Sequence, residues 1–372
     1  MFRSSRLALM VAFISIIGLG ACGSDDDSDG AATEVAATEG GVMLGPNNEP
    51  AVPIEEIPLT EEDVEKLKQG NYTAAFALHE TSTDLPNIVR DSMEQRMAEL
   101  GMELVAVTDA EFDAAKQRDD VETLLAREPD VIVSIPVDAK SSVAAFRAAQ
   151  DAGSELVFWD TIPEGFEHGK DYVGVVSSDQ VKTGENTAQI MCDALGDEGK
   201  VGVIFFDADF YVTNQRDAAF KDSLAQQCPD VEIVAEEGFE DPGRVEGVAS
   251  AMLTRNPDLD GIYATWAEPA EGVLAALRAA DRDDVEVVTV DLSEPTMIDL
   301  ANGGPMAGAS ADRIADLGVA MAEVAGLGAL GKPAPAFSVV TTDPVTEENV
   351  LEGWEASYGE PAPPAVQEAV EG

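Results

Sequence analysis

Residues 130–159 read DVIVSIPVDAKSSVAAFRAAQDAGSELVFW. Asp130 to Pro136 is a short apolar run of strand length, and Val143, Phe146 and Gln150 then recur at helical spacing. Leu156 to Trp159 is a second apolar run. A strand, a helix and a strand in this order make a crossover between parallel strands.

The same alternation extends both ways. Toward the N-terminus, Tyr72–Leu78 reads as a strand, Val89, Met93, Met97 and Leu100 as a helix face stopped by Gly101, and Glu103–Val107 as a strand. A helix marked by Val121, Leu124 and Leu125 follows, and Tyr172–Val176 is the fifth strand. The pattern then repeats. Helices are expected at 180–195, 214–227, 244–255, 269–280, 294–302 and 312–330, and strands at 200–206, 231–236, 261–265, 285–290, 306–310 and 337–341. Two parallel α/β halves in series imply two lobes with a cleft between them. Ligands of open α/β sheets bind beyond the carboxyl ends of the strands, so residues just after strands are the candidates. Upstream, Thr60 and Asp63 have the spacing of a capping box for a short helix over 59–69.

Lys and Arg total 22 against 72 Asp and Glu, a formal net charge of −50. That excludes nucleic acid and anionic membrane surfaces as partners of the bulk surface. Hydrophobic residues are 45% of the chain, so the acidity does not imply disorder. Arg3, Arg6 and the apolar run Leu7–Leu19 form a secretory signal too short to span a bilayer. Leu19-Gly-Ala-Cys22 resembles the lipobox of bacterial lipoproteins, which implies a signal peptide over 1–21 and a lipid on Cys22. Residues 22–58 then read as an acidic flexible tether, and 359–372 as a loose tail. The body is placed outside the cytoplasmic membrane. In that milieu Cys192 and Cys228, both on inward faces of consecutive helices, are either a disulfide or two buried thiols, with the disulfide preferred.

Catalytic motifs are missing from their proper contexts. Gly326-Leu-Gly-Ala-Leu-Gly331 matches a dinucleotide fingerprint in letters but sits at a helix end, with Gly331 as its stop. There is no phosphate-binding loop, and the two histidines, His79 and His168, are far apart. Asp207-Ala-Asp209 does not continue as a calcium loop. No catalytic residue, metal or cofactor is expected, and a binding protein becomes the leading class.

The strand-end positions suit that class. They hold His79, Thr83 and Asp84 after the first strand, Asp160 after the fourth, and Phe210, Asn214 and Arg216 after the first strand of the second half. Trp266, Asp291 and Asp312 complete the set. Carboxylates and amides take several hydroxyls, a guanidinium is a fixed fork of donors, and an indole covers an apolar ring face. A small polyhydroxylated ligand fits this mix. Each residue also has a plainer use: Asp84, Asp160 and Asp291 as helix N-caps, Trp266 as core, Arg216 paired to a surface acid, His79 bonded to its own loop.

Across Tyr72–Trp354 the chain resembles the periplasmic sugar-binding proteins of the ribose-binding type, which serve ABC importers. The matching stretches include PDVIVSIPVDA, DYVGVVSSD and VGVIFFDADFYVTNQRDAAF, together with AEPAEGVLAALRAADRDDVEVVTVD and Ala311-Asp312-Arg313. The resemblance implies two Rossmann-like lobes joined by a three-crossover hinge, with sugar held by hinge closure. It implies an N-terminal lobe of 72–176 plus 312–342, and a second lobe of 177–311 plus 343–358. Its ligand contacts would be the first-strand loop, Asp160, Asn214 or Arg216, Trp266, Asp291 and Asp312. A membrane permease would be the partner of a monomeric, lipid-anchored binder. Leu85 and Pro86 stand where ribose binders carry aromatics, Thr161 where they carry Arg, and Ala267 where relatives often carry Asp. A binder presenting ligand to a receptor, an enzyme on the same framework and a sugar-responsive regulator are the rival classes. The regulator needs an N-terminal DNA-binding element and a cytoplasmic site.

Overall fold

The computed structural model describes residues 43–82, 84–196, 198–208 and 210–372. Cys22, most of the acidic tether and Thr83 lie outside the described residues, and so does the side chain of Asp84.

Strand Val131–Ser134 is buried along its whole length, as a central parallel strand covered by helices on both faces must be. It sits in a seven-stranded sheet. In spatial order this sheet runs Val52–Pro53, Phe337–Val340, Gly174–Ser178, Glu155–Trp159, Val131–Ser134, Thr73–Leu78 and Glu103–Asp109. Every neighbouring pair is parallel. The second sheet has six strands: Thr342–Val345, Met306–Asp312, Glu286–Val290, Gly261–Ala264, Glu198–Phe206 and Asp230–Phe239. Only its first pair is antiparallel.

The chain passes between the sheets three times, at Ser178–Gln180, Asp312–Ile314 and Val340–Thr342. The third passage bonds to both others: the Asp179 N–H donates to the Val340 carbonyl at 3.1 Å and the Arg313 N–H to that of Thr341 at 3.4 Å. Helices Gln180–Leu195 and Ile314–Ala329 each follow a passage, and each carries glycine at its fifth residue. A Cβ on Gly184 would stand 2.5 Å from the Ala219 Cβ, and one on Gly318 would stand 2.4 Å from the Val89 carbonyl oxygen. In each lobe that absent side chain lets the first helix after the passage lie tight against its neighbour.

Two segments are more ordered than their composition suggests. Within the expected tether, residues 43–58 are built into the fold: Met43 is buried and Val52–Pro53 adds an edge strand through Ser338 and Val339. The expected loose tail holds helix Pro364–Glu371, packed on helix Glu294–Ala301 with Val366 fully buried. Pro at its first turn starts it, and one valine supplies its contact. The capping box is present, with Thr60 accepting from the Asp63 N–H and Asp63 from the Thr60 N–H. Among the described residues no helix is long and apolar enough to cross a membrane.

Cys192 and Cys228 are joined as a disulfide, with Cα atoms 6.0 Å apart, inside a cluster that includes Phe220 stacked on Tyr263 at 4.1 Å. The bridge closes a loop of sequence separation 36. Loop-closure entropy makes such a bridge worth about 4 kcal/mol. Reduction should therefore lower the melting temperature of the wild type and leave a Cys192→Ala/Cys228→Ala variant unmoved. Equal melting temperatures for the wild type with and without reductant would refute this.

Candidate ligand-binding site

Asp160 and Asp291 occupy matching places in the two sheets. Each is the first residue after a strand, Glu155–Trp159 or Glu286–Val290, and each has left-handed backbone, with φ +61° and +63°. Each N–H donates to the adjacent strand, Asp160 to the Val176 carbonyl at 3.0 Å and Asp291 to that of Ser310 at 2.9 Å. Aspartate is among the few non-glycine residues that enter this backbone region at modest cost, and such strain concentrates at functional sites. Neither residue is an N-cap: Asp160 leads into a loop, and helix Glu294–Ala301 is capped by Ser293.

Arg216, on helix Tyr211–Gln227, is 6% exposed, and it forms no salt bridge with a surface acid among the described residues. Its Nε points to the Thr265 hydroxyl at 3.5 Å, and that hydroxyl donates to Asp217 Oδ1 at 2.8 Å. The Tyr263 hydroxyl donates to the same oxygen at 2.7 Å. Asp217 and Thr265, absent from the sequence-based set, thus support the guanidinium. Its charge reaches Asp160 in one lobe and Asp291 and Asp312 in the other, lowering the carboxyl pKa of each.

Burial wins over that help. It pushes the Asp160 carboxyl up to about 7, with Ser177, whose hydroxyl donates to Oδ1 at 2.7 Å, pulling the other way. It pushes Asp291 up to about 7 as well, and Asp312 adds to the rise by repulsion. Asp291 Oδ1 is buried and accepts no hydrogen bond. The Asp312 carboxyl is also raised by burial, with the nearby hydroxyls of Ser178, Thr183 and Thr342 pulling the other way; that of Thr183 donates to Oδ1 at 3.2 Å. Asp312, at the second passage, thus bonds to helix Gln180–Leu195, which follows the first, a role its sequence position does not reveal.

The raised carboxyls set a pH dependence. Their folded pKa of about 7 lies above the ordinary 3.8. Below about pH 4 both states are protonated and the effect vanishes. As pH rises toward 7 the unfolded chain releases protons that the fold retains, so stability falls through that window. Wild-type protein without ligand should lose stability relative to Asp160→Asn/Asp291→Asn between about pH 4 and 7. Parallel stability curves in urea would contradict this.

The other candidates differ in burial and in their contacts. Trp266 is half-buried, edge-on to Phe206 at 5.5 Å and to Phe239 at 5.1 Å, so part of the indole belongs to the core. Phe210 and Asn214 are half-buried at the start of helix Tyr211–Gln227. His79 is buried edge-on to Trp159 at 5.7 Å and Phe112 at 5.0 Å, and burial pushes its pKa down to about 4. Its Nδ1 is buried without a hydrogen-bond partner. Asp84 opens helix Asp84–Leu100. Among the described residues no group of three or more His, Cys, Asp or Glu is arranged to hold a metal ion.

Comparison with known proteins extends this picture. The family model described as the periplasmic binding protein domain matches residues 74–333. The ribose import binding protein of Bacillus subtilis is 29% identical over 197 residues, covering 52% of this chain and 62% of the relative, less than two thirds of its length. Among solved structures, an ABC transporter solute-binding protein from Agrobacterium vitis with bound tagatopyranose superposes with a TM-score of 0.69 at 22% identity, over 81% of this chain and 99% of that one. A Mycobacterium smegmatis solute-binding protein with bound glycerol gives 0.68 at 26%, over 76% and 96%. With two parallel α/β lobes, three passages between them and a family match over most of its length, this chain belongs to the periplasmic binding protein family.

Proposed function

We propose that the chain is the extracytoplasmic binding component of an ABC importer and takes a sugar or sugar alcohol between its lobes. The convergence of Asp160 from one lobe with Arg216, Asp291 and Asp312 from the hinge and the other lobe carries this reading. Ligand hydroxyls that donate to Asp160 and Asp291 and accept from Arg216 would replace the water these groups lose on closure. Because the contacts come from both lobes, the ligand binds the closed form better and shifts an open–closed equilibrium toward it. The closed pair of lobes is then what a permease reads. A lipid on Cys22 would hold the protein near that permease and raise its effective concentration. The tagatopyranose and glycerol bound to the solved relatives support a polyol ligand.

A thermal-shift screen against pentoses, hexoses and sugar alcohols tests the ligand class. A ligand bound only by the folded cleft must raise the melting temperature by mass action. A screen in which no such compound shifts the melting temperature would remove the polyol reading.

A further inference from the structure

We propose that the cleft prefers polyhydroxylated ligands bearing a protonated amine, an amino sugar or amino polyol, with the ammonium placed against Asp291. This rests on the proposed polyol-binding function and names the ligand more closely.

The charge inventory points this way first. Three carboxylates, Asp160, Asp291 and Asp312, share the field of a single guanidinium, that of Arg216. An anionic ligand would add a further negative charge to a site already short of cations. A neutral hydroxyl supplies one donor and leaves the charge excess in place. An ammonium supplies three donors, accepts nothing and removes one unit of the excess.

Hydrogen bonding singles out the carboxylate. Asp160 Oδ1 receives the Ser177 hydroxyl and Asp312 Oδ1 receives that of Thr183. Asp291 Oδ1 is buried and receives none. A buried acceptor without a donor is costly to leave unsatisfied, and more so when it is ionised. The response of its carboxyl, pushed up by burial and by Asp312, is that of a group whose nearby cation, Arg216, does not offset its desolvation.

Surrounding charge has the same sign. Glu80 of one lobe repels Glu268 of the other, and Glu271 and Asp241 add to the repulsion at Glu268. Acids brought together as the lobes meet make a negative potential that draws cations in and turns anions away.

Calorimetric titration of the folded protein with matched pairs tests the preference: glucosamine against glucose, galactosamine against galactose, and glucamine against sorbitol, at a pH below that of amine deprotonation. N-acetylglucosamine serves as the uncharged control for bulk. In at least one pair the amine should bind about tenfold or more tighter than its neutral partner, the scale of a charge-assisted hydrogen bond. Asp291→Asn, isosteric and compatible with left-handed backbone, should cost the amine about tenfold more than it costs the neutral partner. Its melting temperature without ligand reports folding independently. Neutral sugars binding as tightly as their amines in every pair would overturn the proposal and leave the polyol-binding function standing. No binding by either member of any pair or by the wider polyol screen would overturn both. An amine preference that survives in Asp291→Asn would overturn the assignment to that residue.

Discussion

Asp160→Ala and Asp291→Ala should each weaken ligand binding by about 100-fold or more, while leaving the unliganded protein at least as stable as the wild type at neutral pH. The two effects share one cause. Each carboxylate is desolvated by the fold and only partly repaid by Arg216, so each is a net burden on the protein without ligand. Removing either one relieves that burden. The ligand loses the acceptor that its hydroxyl or ammonium would meet, and Arg216 loses part of its counter-charge. Alanine is less at ease than aspartate in left-handed backbone, which offsets some of the gain, so Asn at the same positions should show the larger increase in stability. Calorimetry and melting curves on the same samples separate the two effects. Affinity within about threefold of wild type in both variants would remove these residues from the site.

Arg216→Met should be the most destabilising single change in the cleft. The guanidinium is buried and its charge reaches four carboxyls, those of Asp160, Asp217, Asp291 and Asp312. Breaking a buried ionic group by removing one partner costs about 3–5 kcal/mol, because the remaining charges stay out of water with nothing to balance them. Here the loss must depend on pH. Without Arg216 the carboxyl pKa values rise further, so near neutral pH the carboxylates ionise only at a cost or hold protons that the unfolded chain would release. Around pH 4 the Asp160 and Asp291 carboxyls are largely protonated in the wild type too, and Arg216 then has less to balance. Urea unfolding at about pH 8 and about pH 4.5 should show the gap between wild type and Arg216→Met narrowing sharply at the lower pH. A gap under about 1 kcal/mol, or one equal at both pH values, would mean that the guanidinium is not what holds these acids together.

These expectations turn on which residues meet, and the sequence foretold that unevenly. Arg216 and Asp291 were legible as candidates because each follows a strand in a parallel series. Asp312 was legible as a strand-end residue, but its hydrogen bond from Thr183 joins positions far apart in the chain. Asp217 gave no signal, since one acid on a helix looks like any other until Thr265 and Tyr263 converge on it. The choice between helix cap and site residue for Asp160 and Asp291 also waited on the fold. A capping aspartate and a ligand-binding one look alike in sequence, and the observed backbone and the placement of Ser293 rule out the cap.

Order along the chain was readable for a physical reason. Strand and helix periods and the apolar runs between them are local properties, and a β-α series has few ways to fold. That was enough for two parallel lobes, for inward-facing cysteines and for the capping box at Thr60. Closure of the design was not local. The strand Thr342–Val345, the edge strand Val52–Pro53 and the helix Pro364–Glu371 are short, and each exists because a distant partner covers it. So does the electrostatic character of the cleft, where a few of the 72 acids are stripped of water and set around one arginine, while most of the other described acids remain in solvent. Composition counts charges, and burial by tertiary contacts decides which of them cost energy.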